Sequence, residues 1–300
     1  MQTHLPTIRQ LRYLVAVAEH LHFGRAAEAC HATQSTLSAG LQELESLLGV
    51  TLVERTKRRV LMTPLGDEVV ARARNILRGA EDIADLARSA GRPLSGPLRL
   101  GVIPTIAPFL LPQALPGLRH AYPSLKLTLR EDLTARLLER LAGGSLDAAL
   151  LALPYDAPDM EMLPLATDPF LLACPPGHPL AAKAEISGAD LAGAELLLLE
   201  EGHCLRDHAL AACSLPGPKR GEGVFGTSLG TLVQMVASGM GVTLVPELAV
   251  KAGLLRGTDL ITRPLLGGGH RLLGLAWRRS STRGAEFRLL GEVLLRHGGS

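Results

Sequence analysis

The residues best able to do chemistry cluster late in the chain. His203, Cys204, Arg206, Asp207 and His208 fall within one short run, and Cys213 follows Cys204 by nine positions. A thiol works as a nucleophile or metal ligand only as thiolate, and an ordinary cysteine pKa of ~8.5 leaves a few per cent ionised at neutral pH. Adjacent cations raise that share. His203 and Arg206 are near enough to do so, and Asp207 can orient one of them. Two other uses stay open at this point. Cys204 and His208 would stand at i, i+4 on one helix face and, with His203 and Cys213, could hold zinc. The C-x3-H-x4-C spacing, however, lacks the close cysteine pair of common zinc sites. Cys204 could also be a buried core thiol, the usual fate of cysteine, which the surrounding charge argues against. Cys30 and Cys174 lack such neighbours and read as structural.

The chain that must position this cluster has 300 residues, enough for two domains or three small ones. At 47% apolar and 20% charged it can bury real cores. The balance of 31 basic against 29 acidic side chains, +2 overall, gives no case for a nucleic-acid partner by itself. An aromatic content of 3% argues against a base-stacking platform for single strands or RNA. No apolar run approaches the ~18 residues of a membrane span. Arg9 and Arg12 before Tyr13–Ala18 mimic a signal peptide, but that apolar core is shorter than the ~7–15 residues required. Four cysteines without a secretion signal point to a reducing cytoplasm, where an oxidised pair would be a switch.

The first 60 or so residues are helical. Leu11, Leu14, Val15 and Ala18 share one helix face. Arg25–Cys30 forms a short second helix, and a third begins after Thr33, with Leu37, Leu41, Leu44 and Leu48 as its apolar stripe. Ser35, Ser38 and Gln42 lie away from that stripe. This is a helix-turn-helix, whose last helix lies in the DNA major groove. Thr51–Val53 and Val60–Met62 then flank Glu54-Arg55-Thr56-Lys57-Arg58-Arg59, a basic-tipped hairpin suited to phosphate contact. From Pro64 to about Ala90 a long helix carries Val69, Ala73, Ile76, Ala80, Ile83 and Ala87 at heptad spacing, a seam that asks for a partner helix. Gly91–Gly96 breaks it as a hinge.

Beyond Pro97 short strands (98–102, 125–129, 148–151, 170–173, 196–199, 242–245, 272–277) alternate with helices (107–120, 134–141, 229–238, 285–296). The pattern predicts an α/β domain with largely parallel sheets. Gly226-Thr227-Ser228 opening a helix could face an anion, a weak signal because Ser and Thr are ordinary caps.

Phe23-x2-Ala26-Ala27, Gln34-Ser35-x2-Ser38, Leu44-Glu45-x2-Leu48-Gly49 and Leu52-x-Glu54-Arg55 resemble the DNA-binding signature of the LysR-type transcriptional regulators. With the long helix and the α/β domain, the resemblance covers the whole chain. It implies a winged helix-turn-helix at 1–63, a dimerisation helix at 64–90 and a hinge at 91–96. A regulatory domain at 97–300 follows, similar to periplasmic binding proteins and divided into 97–166 plus 270–300 and 167–269. Implied DNA contacts are Gln34, Ser35, Thr36 and Ser38 for bases, and Arg55, Lys57 and Arg58 for phosphates, with Arg25 and helix ends assisting. Many family members carry Arg or Lys in mid-recognition helix, where this chain has Ala39-Gly40-Leu41-Gln42.

The run Leu196–Asp207, with Cys213, is similar to the hydrogen-peroxide-sensing branch of that family. So are Gly101-x-Ile103-Pro104-Thr105, Thr227-Ser228-Leu229-x-Thr231-Leu232 and Met235-Val236-Ala237. The resemblance implies Cys204 as peroxidatic and Cys213 as resolving cysteine, joined in a reversible disulfide. Thr105, Thr134, His203, Arg206 and Asp207 would surround the peroxide. Implied partners are promoter DNA, a second copy as dimer and tetramer, hydrogen peroxide, a thiol reductant and RNA polymerase; no cofactor, metal or membrane is implied. If 204–213 were one helix, its end Cα atoms would stand ~13 Å apart, beyond the ~7 Å a disulfide spans. Oxidation would then rebuild the segment, with Pro216-Gly217-Pro218 as an adjoining loop. Two rivals remain: a regulator taking a small organic anion on Thr105, Thr227 and Ser228, and a thiol peroxidase, which would have no need of residues 1–90.

Overall fold

A computed structural model describes residues 5–55, 60–88, 93–213 and 225–298. They divide into two compact units, one holding the N-terminal helices and hairpin together with residues 142–144, the other the rest of the chain from the first long strand onward.

The first unit is α1 (Ile8–His20), α2 (Phe23–Ala29), α3 (Gln34–Leu48), β1 (Val53–Arg55), β2 (Val60–Met62) and α4 (Pro64–Arg88). Each early helix starts on a side-chain cap: Thr7 closes a capping box with Gln10, His22 accepts from Arg25 N–H, and Thr33 accepts from Thr36 N–H. Leu14, Val17, Ala26, Leu37, Leu41 and Leu44 form the core between them. The expected stripe on α3 ends early, since Leu48 is exposed. Gly40 has a packing reason: a Cβ there would lie 2.8 Å from the Tyr13 ring, so its helix-propensity cost of ~1 kcal/mol secures the close approach of α1 and α3.

β1 and β2 pair antiparallel as a hairpin, with Val53 opposite Met62. Lys57 and Arg58 at its tip lie outside the described residues, as does the side chain of Arg55. Glu45 fastens the hairpin to α3, its carboxylate accepting from Leu52 N–H at 2.8 Å and Val53 N–H at 3.1 Å. On α4 the expected seam splits. Val70 and Ala73 are buried, and the helix packs on α1, whereas Ile76 and Ile83 are 52% and 71% exposed.

The second unit runs β3 (Gly96–Val102), α5 (Ala107–Ala121), β4 (Leu125–Glu131), α6 (Thr134–Ala142), β5 (Ala148–Leu153), β6 (Met160–Cys174), α7 (Gly188–Ala192) and β7 (Leu196–Leu199). It continues through α8 (Cys204–Ala212), β8 (Phe225–Gly226), α9 (Leu229–Ala237), β9 (Val242–Pro246), α10 (Glu247–Lys251), β10 (Ile261–Pro264), β11 (His270–Arg278) and α11 (Gly284–Gly298). The strand order is β4-β3-β5-β11-β6-β9-β7-β8, with β10 also on β6.

The pairing is more mixed than the sequence pattern suggests. β3 lies parallel to β4 and β5, and β7 lies parallel to β8 and β9. The middle is antiparallel, because β11 runs against both β5 and β6, and β6 against β9 and β10. The 15-residue β6 is the cause. Its first part pairs with β11 and its last residues with β9 and β10, so one strand serves two sheets. Each sheet has its own core: Leu100, Leu150, Trp277, Phe287 and Leu290 in one, Phe170, Leu172, Leu197, Leu232 and Val236 in the other. Among the described residues no helix is long and apolar enough to cross a membrane.

Replacing Glu45 with Ala should leave two backbone N–H groups at the α3–hairpin junction without their acceptor, a loss of about 1–3 kcal/mol. Urea unfolding of the N-terminal transition should show the midpoint falling with an unchanged slope; an unmoved midpoint would mean that water replaces the carboxylate at no cost.

Candidate functional site

α8 follows β7 after a short turn and brings the thiol cluster to the junction of the two cores. Cys204 is its first residue, where free helix N–H groups favour an anion, and His203 is the N-cap. Cys204 is half-buried and packs against the first core, while Cys213, the C-cap residue, is buried in the second. Both are free thiols. The helix between them is continuous, so their Cα atoms stand ~13 Å apart at ~1.5 Å per residue. Burial raises the Cys213 pKa, keeping that thiol protonated in this arrangement. A Cβ on Gly188, which opens α7, would come within 2.3 Å of the Cys213 carbonyl oxygen, so the end of α8 sits directly on the α7 backbone.

Around Cys204, residues 103–105, 133–134 and 202–204 line a small pocket with about 10 Å³ for the centre of a water-sized molecule, room for roughly one. Thr134, buried at the start of α6, donates its hydroxyl to the Cys204 sulfur at 3.6 Å. Thr105 is a second buried lining residue, and its Oγ1 accepts from Arg271 Nη1 at 2.8 Å, while its carbonyl accepts from Nη2 at 3.0 Å. A guanidinium only donates, so the Thr105 hydroxyl proton stays available to the pocket. Arg271 is in turn bonded through Nε to Asp168 at 2.9 Å, and the other Asp168 oxygen accepts from Leu248 N–H at 2.9 Å.

His203 lines the pocket, and burial, partly opposed by Glu200, lowers its pKa and keeps the ring neutral near pH 7. Arg206 is largely buried and lies 3.7 Å from Glu201. Asp207 is exposed on α8. Thr105, Thr134, His203 and Cys204 thus meet at one pocket, whereas Arg206 and Asp207 are not among its lining residues. Among the described residues no group of three or more His, Cys, Asp or Glu is placed to hold a metal. Ser228 is spent as the N-cap of α9, accepting from Thr231 N–H at 3.2 Å.

Arg271 and Asp168 escaped sequence reasoning. They lie 103 positions apart and belong to no local motif. The one usable signal was a charged residue inside the apolar strand His270–Arg278. In the first unit Gln34, Ser35 and Thr36 are exposed at the start of α3, Ser38 is half-buried, and Thr33 Oγ1 shares hydrogen bonds with Ser35 and Thr36 at 2.9 and 2.8 Å.

Asp168→Ala would strand the Arg271 guanidinium, which is 2% exposed, without its counter-charge. The expected loss is about 3–5 kcal/mol, read as a lowered urea midpoint for the regulatory unit; a loss under 1 kcal/mol would show that the pair is dispensable.

Comparison with known proteins agrees with this architecture. The bacterial regulatory helix-turn-helix protein, lysR family, matches residues 8–67, and the LysR substrate binding domain matches residues 91–299. The HTH-type transcriptional regulator EstR of Acinetobacter baylyi is 44% identical over 97% of both chains. The DNA-binding transcriptional dual regulator OxyR of Escherichia coli is 42% identical over 96% of this chain and 94% of its own. Among solved structures, a full-length Cys-to-Asp variant of OxyR from Pseudomonas aeruginosa superposes with a TM-score of 0.82 at 39% identity, covering 97% of this chain and 95% of that one. A Cys-to-Ser variant of Corynebacterium glutamicum OxyR, bound to hydrogen peroxide, gives 0.68 at 36% identity over 99% and 94%. The chain belongs to the LysR family: it is a DNA-binding, oligomerising transcription regulator rather than an enzyme, with an N-terminal helix-turn-helix and a C-terminal α/β regulatory domain.

Proposed function

We propose that this regulator senses hydrogen peroxide through Cys204 and Cys213 in the cytoplasm. The observation that carries the reading is the pocket: a thiol at a helix N terminus, two threonine hydroxyls, and room for about one water-sized molecule. Peroxide is closer in size to that space than a carboxylic acid is. In the proposed reaction the Cys204 thiolate attacks one peroxide oxygen, the O–O bond breaks, and hydroxide leaves with a proton drawn from Thr105 or water. The resulting sulfenic acid condenses with the Cys213 thiol, forming the S–S bond and releasing water. The two-electron oxidation of two thiols thus consumes one peroxide, and a thiol reductant must reverse it. Because ~13 Å of helix separates the cysteines, bridging must unwind α8, and that rearrangement is the signal. His203 and Arg206 are assigned to positioning the pocket and Asp207 to the outer face of α8. The similarity to OxyR proteins, one of them bound to hydrogen peroxide, supports this assignment.

The same reading assigns residues 1–63 to DNA, 64–90 to dimerisation and 97–300 to sensing, as 97–166 with 270–300 and 167–269. Exposed Ile76 and Ile83 would meet their counterparts in a second copy, two dimers would form the tetramer, and the oxidised form would recruit RNA polymerase as an activator. A cavity of about 450 Å³ lies against α5 and β4, lined by Leu111, Leu115, Leu129, Arg130 and Glu131 among others, but it includes none of Thr105, Thr227 and Ser228 and so does not support the metabolite-binding alternative.

Two experiments test the assignment. Cys204→Ser should abolish the response to peroxide, whereas Cys213→Ser should stop at a sulfenic acid on Cys204 that a dimedone-type probe traps. If treated wild-type protein carries no Cys204–Cys213 bridge while an organic anion shifts DNA affinity, the metabolite reading replaces this one. On the DNA side, Arg55, Lys57 and Arg58 replaced with Ala should weaken binding to all sequences and flatten the salt slope by ~0.9 for each phosphate left without its cation. Changes at Ser35 and Ser38 should instead alter sequence preference. Equal effects of both sets on a random duplex would refute that division.

A further inference from the structure

Cys213 ends α8 against a backbone that carries no side chain. Gly188 is the first residue of α7, and a Cβ built on it would overlap the Cys213 carbonyl oxygen and stand 3.4 Å from the carbonyl carbon. The neighbour it meets is backbone, so no flexible side chain can swing aside. The other partner of the contact is held just as firmly. Ser187 caps α7, its Oγ accepting from Asp190 N–H at 3.3 Å, while the Asp190 carboxylate accepts from Ser187 N–H at 2.9 Å and pairs with Lys183. One residue earlier, Ile186 N–H donates to the Pro264 carbonyl at 3.0 Å, and the Ile186 carbonyl accepts from Leu266 N–H at 2.8 Å. Ile186 and Leu191 lie in the second core together with Leu205, Ala209 and Cys213. The far end of α7 differs: a Cβ on Gly193, its C-cap residue, would meet nothing within 4 Å.

We propose that Gly188 is a positioning residue that seats Cys213: carrying no side chain, it lets α8 close its last turn against α7 and so keeps the second thiol buried and apart from Cys204 until α8 opens. Neither Gly188 nor Gly193 has a left-handed backbone, so alanine suits both on conformation and helix propensity. Only at Gly188 does the added methyl have something to displace. Overpacking of this kind penalises the arrangement that contains the contact and leaves others untouched. The contact exists while α8 is continuous, with Cys213 ~13 Å from Cys204. A disulfide needs the two Cα atoms within ~7 Å. Cys204 completes its first step inside the pocket, so Cys213 is the residue that must leave its seat. A methyl at 188 therefore destabilises the dithiol arrangement and not the bridged one. The seat stands on packing alone; its consequence for disulfide closure rests on the function proposed above.

Alkylation of the reduced full-length protein with N-ethylmaleimide, mapped by mass to each cysteine, tests the seat. Gly188→Ala should speed labelling of Cys213 at least about fivefold, and Gly193→Ala should leave it unchanged. Cys174, wholly buried in β6, is the internal control. Equal labelling of Cys213 in all three proteins overturns the seat, and so does a parallel rise at Cys174, which reports general loosening. Should G188A fail to fold, Ser187→Ala decides. Loss of that cap should loosen α7 and raise Cys213 labelling about threefold; no rise refutes the proposal. The second readout is the dithiol–disulfide ratio in a glutathione buffer, where oxidised glutathione takes two electrons and two protons from the cysteine pair and leaves as two reduced molecules. G188A should shift that ratio toward the Cys204–Cys213 bridge at least about fivefold, which uniform destabilisation would not do. Faster labelling with an unmoved ratio would mean that the bridge closes with Cys213 still in place, against the role assigned to Gly188. Faster labelling with no bridge in any of the proteins, under peroxide or in the buffer, would sustain the seat and reject the peroxide function.

Discussion

The regulatory unit depends on one buried ion pair. Arg271 on β11 is 2% exposed and reaches Asp168 on β6 with one edge of its guanidinium and Thr105 with the other. A guanidinium so deep survives only with its donors occupied. Nε and Nη2 engage Asp168, and Nη1 and Nη2 engage the hydroxyl and carbonyl of Thr105. Asp168 also accepts the N–H of Leu248, fixing the start of α10. One charge thereby sets the loop that forms a pocket wall and the strand on which both cores hang. Arginine suits this position because its planar fork addresses three acceptors at once, where a lysine would offer a single point charge.

Much of this molecule could be read from its sequence because its elements are local. Leu37, Leu41 and Leu44 sit at helical spacing and are buried, and Val53 and Val60–Met62 bracket a basic tip and pair as a hairpin. The thiol cluster was legible for the same reason: its charged and sulfur-bearing residues are sequence neighbours on one short helix. What stayed hidden is non-local. Residues 160–169 of β6, with Pro164 and Pro169 among them, give no alternation to read, and their strand state comes from pairing with β11. The ion pair joins residues on two strands whose partnership no short window contains. Periodicity reports which face is buried, not which distant strand covers it.

The same limit explains the differences at single residues. Arg206 follows Cys204 closely in sequence, but helical rotation carries it ~200° around the axis from the thiol, whereas Asp207, only ~60° away, is exposed to solvent. Thr134, seventy positions away, is the group that touches the sulfur. Gly40 reads as a defect in isolation and proves to be where the Tyr13 ring packs. Ala73 reads as part of a continuous seam, yet α1 of its own unit has taken that stretch, leaving the isoleucines further along free for another helix.

A chamber with space for about one water-sized molecule has a further consequence for the kind of quantity such a protein can report. So small a pocket offers an occupant few contacts, so under the proposed function its residence would be brief and saturation would not be reached at low concentrations. Under the proposed peroxide chemistry the information would be carried by covalent conversion instead of fractional occupancy. The output would accumulate as concentration multiplied by time until a reductant erased it. A protein built this way is a dosimeter with a reset rate, and its threshold is set by the competition between two velocities and not by a dissociation constant.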